Sequence, residues 1–598
     1  MVTAREALPS AEPTPAPSPA RAATGPGAGP PVALLLVVGA YLASALVVPT
    51  GVDALVGDDW VYVRSVETLL REGRLHVLDL AVVTLVLQTF WGALFAALLG
   101  PGFGVLRFST VVVTALAGAA VYGTCRELGA GRGWSALGAA AYLFNPLLYV
   151  LSFSFMTDPH FAAWLAIATW GHARALRPGA SPRWLWLASL GTAAAFLVRQ
   201  QGALIVPAVL LALWWSGRLR PDRAGLLTAV RVCLLPALAM AAYYAFLFLV
   251  NGVPEQQESF LRKMATAGVG GTAQLVGRLF FIALAYLGFL ALPTVAAGLP
   301  TLGEAARGLS RRGWLGVAAW AAVLAVGVAR FRWPAAPTPP MPFWPYIPQY
   351  LGPSGLGPTD LRGGRPWLVP GEGALAWLTL ACCLASLAYG VLLLGRLAGP
   401  GRAAAGQGPT RPVAGLVLSV GAWQWLGMLP PSFHFRTWII SVDRYLLPLL
   451  PAAVCLGVWA LAGLPARRPG AWLASLATAA WVWLAVAGTH DFLAFQGATW
   501  DMAREAVRMG VPLDELDAGA SWDGYHLYES PIAPGTTART KGGPWWTSLF
   551  APATDSTYIV TSGPVEGYDL LYQLPYRTWW QGEQMLYLGR RQGAPGPP

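Results

Sequence analysis

The chain has 598 residues, 12% of them charged and 55% hydrophobic; soluble domains carry roughly 25% charged residues, so most of this polypeptide cannot face water. The 40 Lys and Arg against 29 Asp and Glu leave a formal charge of +11. The arginines lie in short breaks between apolar runs, where membrane orientation accounts for them and nucleic-acid binding does not.

Residues 1–30 are Pro/Ala-rich with Arg5 and Arg21 and read as a disordered cytoplasmic tail. From residue 31 to 489, apolar runs near the roughly 20 residues needed to cross a membrane recur, for about 13 transmembrane helices. The first, Val32 to Thr50, runs outward. The second, Leu80 to Leu99, decides the parity of everything after it. If it crosses, the later arginine loops (Arg126/Arg132, Arg174/Arg177/Arg183, Arg218/Arg220/Arg223, Arg307/Arg311/Arg312, Arg396/Arg402/Arg411, Arg467/Arg468) fall outside. If it lies in the outer leaflet, the next span is Arg107 to Arg126 and those loops are cytoplasmic, which is the reading that the positive-inside rule selects. The outer regions are then the segment 58–100, a turn at Thr157 to His160, Asn251 to Gln274, a Pro/Trp-rich loop 331–370 and a C-terminal region 490–598.

That last region changes character. Thr499 reads as the N-cap of a helix to Met509, and Tyr558–Thr561 and Met585–Leu588 read as strands between Gly/Pro turns. The expectation is a small extracytoplasmic α/β domain on an all-α polytopic membrane protein. Its tryptophans (Trp522, Trp545, Trp546, Trp579, Trp580) suit a membrane-interface belt better than sugar stacking. The five cysteines (Cys125, Cys233, Cys382, Cys383, Cys455) lie in or beside apolar runs and form neither a disulfide framework nor a CxxC metal site.

Ionisable residues at span ends are the candidates for chemistry. Asp58 and Asp59 follow the first span and open an amphipathic stretch, Trp60 to His76. One aspartate serves as an N-cap; a second beside it costs stability through like-charge repulsion, which points to function. Asp158 and His160 flank Pro159 in a segment that a simple turn also explains. Asp58, Asp158 and His160 are conceivable ligands of a divalent metal, although no spacing demands one. Arg199-Gln200-Gln201 interrupts an apolar run, as a buried polar function or as a loop. Arg262-Lys263 stands against the charge rule on the outer side, where an anionic lipid head group is one reason and a statistical exception the other. In PSFHFRTWIISVDRYLLPLLP, Arg436, Asp443, Arg444 and Tyr445 sit at a span mouth, and an arginine there pairs with a phosphate or with Asp443. Gly129-Ala-Gly131-Arg-Gly133 follows a membrane helix and not a strand, so it is no phosphate loop.

The order GDDWVYVRSVETLLREGRLHVLD, an apolar near-span, LRFSTVVVTALAGAAVYGTCREL, SFMTDPHFAAWL and DRYLLPLLPA resembles the GT-C class of membrane glycosyltransferases, in its protein O-mannosyltransferase and aminoarabinose transferase branch. The resemblance covers most of residues 32 to 490. It implies that Asp58 is the catalytic aspartate and Asp59 the acidic residue beside it, usually Glu in that branch. It also implies that Asp158 is the second outer acid, that Arg444 and Tyr445 are the RY element at the lipid groove, and that Val105-Leu106-Arg107-Phe108 opens the second span.

What the resemblance implies is inverting transfer from a polyprenyl-phosphate sugar to a hydroxyl on a protein, lipid or glycan acceptor, outside the plasma membrane. The physics agrees: a polyprenyl donor keeps its phosphosugar at the surface, where these acids lie, a carboxylate there serves as general base and basic side chains (Arg444, Arg199, Arg262 and Lys263 as candidates) meet the phosphate. The rival is a transporter or flippase, whose ionisable groups belong near mid-membrane.

Overall fold

In the computed structural model, the described residues are 31–266, 268–330, 343–398, 410–435, 441–530, 544–552 and 554–594. Arg436, Arg402 and residues 331–342 of the expected loop lie outside them. Among the described residues, eight helices are long and apolar enough to cross a membrane: Phe103–Glu127, Arg223–Asn251, Gly270–Leu290, Arg311–Arg330, Glu372–Leu397, Thr410–Ser432, Asp443–Leu461 and Arg468–Arg508. A ninth is the bent pair Arg132–Leu143 and Pro146–Ser152, which turns through 60°. Asn145-Pro146 dictates the break: a residue before proline avoids the helical region, and Asn145 Oδ1 then caps the new helix by accepting from the Leu147 and Leu148 amides at 3.1 and 3.4 Å. The rest of the apolar sequence makes shorter helices, among them Val32–Ser44, Val86–Leu99 and Arg183–Val198. The first apolar run is thus helical only to Ser44 and finishes as turns.

The 14 residues of Val86–Leu99 rise about 21 Å, short of the roughly 30 Å hydrocarbon core. The helix is tied down on its polar side. Gln88 donates to the Phe155 carbonyl at 2.6 Å, and Trp91 Nε1 donates to that of Ser109 at 2.9 Å. The preceding helix, Trp60–Glu72, buries Trp60, Val61, Tyr62, Val63, Ser65 and Val66 and ends at Gly73 in the left-handed conformation.

Charge separates the two ends of the bundle. Arg107, near the start of the Phe103–Glu127 helix, is buried and serves the Asp58 side, donating to the carbonyls of Thr50, Val52 (3.1 Å) and Ala54 (2.8 Å). At the far end of the same helix, Glu127 takes Arg174 (3.1 Å) and Arg177 from one of the arginine-bearing breaks.

The C-terminal region is a four-stranded sheet in the order Leu516–Asp517, Tyr558–Thr561, Gly582–Arg591, Tyr568–Thr578, parallel in the first pair and antiparallel in the others. The two strands expected from sequence are present; the long edge strand Tyr568–Thr578 and the short Leu516–Asp517 were not foreseen. The helix expected from Thr499 has no separate start. Arg468–Arg508 is one helix of 41 residues, residue 490 lies inside it, and the Thr499 hydroxyl donates to the Phe495 carbonyl of the preceding turn at 2.9 Å instead of capping. The sheet is held to this helix by Asp491, whose carboxylate accepts from the Trp579 and Trp580 amides at 2.6 and 3.0 Å.

The same region covers the Trp60–Glu72 helix. The Trp60 indole packs against Tyr528 and Phe550 at 5.3 and 5.4 Å between ring centres, and Gly524 is the residue that lets it in, since a Cβ there would stand 2.4 Å from the indole. Gly524→Ala is therefore expected to lower stability by about 1–3 kcal/mol through overpacking; an unchanged melting temperature for the detergent-solubilised protein would mean that this contact is loose.

Candidate active site

Four charged side chains from four separate segments meet at one end of the bundle. Asp58 lies just ahead of the Trp60–Glu72 helix; Asp158 is in the first turn of the helix Thr157–Ala175; Arg199 follows the helix Arg183–Val198; Arg444 is in the turn Asp443–Leu449. Each is aimed by local sequence. Thr157-Asp158-Pro159 is a helix start and not the turn expected from sequence: proline is accepted in a first turn, where its missing N–H has no partner to lose, and a carboxylate there is favoured by the helix dipole. Arg199 adopts extended backbone between the helix and the 3-10 turn Gln200–Leu204, so the polar triplet forms a break inside the protein; Gln200 and Gln201 donate to the carbonyls of Val82 (3.2 Å) and Gly427 (2.5 Å). Pro448 and Pro451 keep the chain in 3-10 form until Leu450, because neither can donate to a helical ladder.

Arg444 grips Asp58 with both terminal nitrogens, at 2.7 and 3.2 Å. Arg199 pairs with Asp158 at 2.9 Å and donates from Nε to Thr157 Oγ1 at 3.0 Å. Both guanidiniums also face the Tyr445 ring, 5.7 Å from Arg199 and 5.5 Å from Arg444. Two buried cations and two carboxylates thereby balance. Asp58 is the accessible member: its side chain is 27% exposed, against 8% for Arg444, 5% for Arg199 and 0% for Asp158. Burial would raise the Asp58 carboxyl, but Arg444 more than reverses this and holds it below the ordinary carboxylate range.

Asp59 points the other way and is buried. It occupies the N-cap position of the Trp60–Glu72 helix without making a side-chain cap bond. One oxygen accepts from the Val56 amide at 2.8 Å, the other from the Phe155 amide at 3.1 Å. Burial pushes this carboxyl up to about 7, against the pull of those amides. With Arg107 holding the carbonyls of residues 50–54 and Asp59 the amides of Val56 and Phe155, the loop that presents Asp58 is fixed on both sides.

Asp443 does not pair with its neighbour. It accepts from the amides of Gln349 (3.1 Å), Tyr350 (2.8 Å) and Leu351 (2.6 Å) and so pins the loop 343–371 over the cluster. Arg444 is thereby left to Asp58. The pinned loop carries Tyr350, whose buried hydroxyl has no hydrogen-bond partner among the described residues, as is also true of Arg444 Nε; a Cβ on Gly57, which has φ +58°, would come within 3.0 Å of that hydroxyl. Neither Tyr350 nor the clamps Arg107 and Asp443 could be assigned these tasks from sequence; the available signal was a charge next to an apolar span.

Other candidates do not join the cluster. Arg262 and Lys263 are exposed on the helix Glu255–Ala265, and Arg262 pairs with Glu258 one turn back at 2.6 Å. His160 is buried, with Nε2 3.1 Å from Thr110 Oγ1 and its ring edge-on to Phe155. The conceived metal site of Asp58, Asp158 and His160 does not assemble: among the described residues no three His, Cys, Asp or Glu are grouped to hold an ion, and both aspartates face guanidiniums. The buried charges lie at helix ends, away from the mid-span positions that a transport site would use.

Residues 86–241 match the family described as dolichyl-phosphate-mannose-protein mannosyltransferase, a stretch that includes Arg107, Asp158 and Arg199. No curated protein matches the sequence. Among solved structures, the chain is similar to the protein O-mannosyltransferase Pmt1-Pmt2 complex of S. cerevisiae bound to the sugar donor, with 16% identity and a TM-score of 0.30 over 36% of this chain and 33% of that one. It is also similar to ArnT from Cupriavidus metallidurans bound to undecaprenyl phosphate, with 14% identity and a TM-score of 0.35 over 94% and 99% of the two chains. A third is the Archaeoglobus fulgidus oligosaccharyltransferase tethered with an acceptor peptide, with 14% identity and a TM-score of 0.42 over 80% and 57%. The chain spans a third of the length of the yeast protein it matches.

The two amide bonds to Asp59 generate a stability prediction. Asparagine can accept one of them but turns an NH2 group toward the other amide, so Asp59→Asn is expected to cost about 1–3 kcal/mol. Thermal unfolding that matched the wild type would show that Asp59 does not hold this loop.

Proposed function

We propose that this chain, whose residues 86–241 match the family described as dolichyl-phosphate-mannose-protein mannosyltransferase, is a membrane glycosyltransferase of the GT-C class that moves a sugar, with inversion, from a polyprenyl-phosphate donor to an acceptor hydroxyl on a protein, lipid or glycan at the extracytoplasmic face of the plasma membrane. The observation that carries this reading is the bidentate Arg444–Asp58 pair, which joins a phosphate-binding group to a base in one contact. Arginine forks fit phosphate as well as carboxylate. An arriving donor phosphate takes Arg444, and the carboxylate it releases is the exposed one of the cluster.

In the transfer step the acceptor oxygen bonds to the anomeric carbon while the bond from that carbon to the phosphate oxygen breaks. Asp58 takes the hydroxyl proton, and the polyprenyl phosphate leaves with the bonding electron pair. Arg444 stabilises the charge that develops on it. Tyr445 keeps the two guanidiniums apart, and Arg199 holds Asp158 so that the site stays neutral. Tyr350 Oη and Arg444 Nε, both buried and without a hydrogen-bond partner among the described residues, are donors suited to the phosphate oxygens. Arg262 and Lys263, exposed beside the membrane surface, meet anionic head groups outside the reacting centre. Residues 490–598 form the extracytoplasmic cover over the Trp60–Glu72 helix.

Asp58→Asn is expected to abolish transfer while binding undecaprenyl phosphate at least as tightly as the wild type, because the phosphate no longer competes with a carboxylate for Arg444. Transfer within a few-fold of wild type, measured with radiolabelled donor, would remove Asp58 as the base. Sidedness is checked separately by labelling single cysteines. Gly102→Cys and Thr359→Cys are expected to react with an impermeant reagent from outside the cell and Arg220→Cys only after permeabilisation; the reverse pattern would put the site in the cytoplasm.

A further inference from the structure

We propose that Asp360 is the acceptor-side carboxylate of this site, taking a hydrogen bond from a donor group on the incoming acceptor and holding the reacting hydroxyl against Asp58. The assignment rests on the sugar-transfer reading and adds to it a residue that neither the sequence motifs nor the charge cluster contains.

The backbone places Asp360 at the site and leaves its side chain without a structural task. Asp443 pins the loop at residues 349–351, and Arg365 fixes it again by donating to the carbonyls of Leu356 and Gly357 at 2.7 and 2.9 Å. Between these anchors the loop lies on the segment that presents Asp58: the Gly57 Cβ position is 3.0 Å from Tyr350 Oη and 4.0 Å from Pro358 Cγ. Two residues on, the Asp360 carbonyl accepts from the Ala520 amide at 3.2 Å, a bond that any residue could make. The half-buried carboxylate itself has no hydrogen-bond or ion-pair partner among the described residues.

Its surroundings distinguish it from the other acids. Asp58 and Asp158 each have an arginine, whereas Asp360 has none of its own. Burial and then the negative charge of Asp58 push it up to about 7, with Arg444 pulling the other way. A third carboxylate within electrostatic reach of Asp58 repels a donor phosphate and attracts a hydrogen-bond donor. The side of the site that it lines is therefore the one opposite the phosphate. Two carboxylates pushed apart in proton affinity by their environments are suited to different tasks in one reaction.

The test uses the full-length chain in native membranes with a radiolabelled mannosyl polyprenyl phosphate as probe, reading two products: label on endogenous membrane acceptors, and free sugar released when water replaces the acceptor. Asp360→Ala is expected to lower transfer at least roughly tenfold, the loss of one charge-assisted hydrogen bond, with sugar release unchanged within about twofold. Asp360→Asn keeps one acceptor oxygen and is expected to recover part of the transfer. A parallel fall in both products, or no fall in transfer, overturns the assignment. Asp58→Asn run alongside is expected to lose both products; if it keeps both, the sugar-transfer reading falls, and Asp360 with it.

Discussion

The constraint on which the structure depends is that charges buried at the end of a membrane bundle must be neutralised there. Removing a carboxylate or a guanidinium from water costs several kcal/mol per ion, recovered only by close, well-aligned pairing. Asp58 with Arg444 and Asp158 with Arg199 meet that condition. Four chain segments distant in sequence are drawn together by it. Such pairs are weak sources of stability but strong sources of position, because removing one member strands the other. The cluster therefore behaves as a unit: an anion that takes Arg444 leaves the Asp58 carboxylate without its partner.

Adjacent residues divide the work. Asp59 and Asp443 are each next to a charged member of the cluster, and each turns away to accept backbone amides. Carboxylates suit this task, since two oxygens can satisfy two or three amides that would otherwise be buried without partners. Asp59 ties Val56 to Phe155, and Asp443 gathers three successive amides of the loop 343–371. Their neighbours Asp58 and Arg444 are left facing each other. What looks in sequence like a doubled functional acid is one carboxylate turned to Arg444 and one fastener.

The covering layer follows from the same economy of polar groups. Arg362 pairs with the buried Asp517 at 2.7 Å, the Asp360 carbonyl meets Ala520, and Asp491 holds the hairpin tip at Trp579 and Trp580. The loop, the long final helix and the sheet are thus joined by polar contacts, while Trp60 supplies the apolar contact below. A loop fixed at so many points can present a side chain such as Asp360 with definite geometry, which a loop held only by its ends could not do.

Composition and hydropathy alone determined that this is a polytopic helical membrane protein, because an apolar run of span length has few other stable fates. Motif order pointed to the class of enzyme and to Asp58, Asp158 and Arg444, and charge alone singled out the apolar stretch before Gly100, whose helix Val86–Leu99 is among the shorter apolar ones. The sequence also located Tyr558–Thr561 and the core of Gly582–Arg591 as strands. Periodicity could not tell that the last span continues unbroken to Arg508, since a helix leaving the membrane changes its neighbours but not its hydrogen bonds. Nor could sequence say which of two adjacent acids faces the cluster, whether Arg444 would choose Asp443 or Asp58, or that Tyr350 and Pro358 would be brought to Gly57. Those outcomes depend on which way a side chain leaves the backbone and on contacts across hundreds of residues. Only the tertiary structure decides them, through the buried charges and amides that it pairs across the fold.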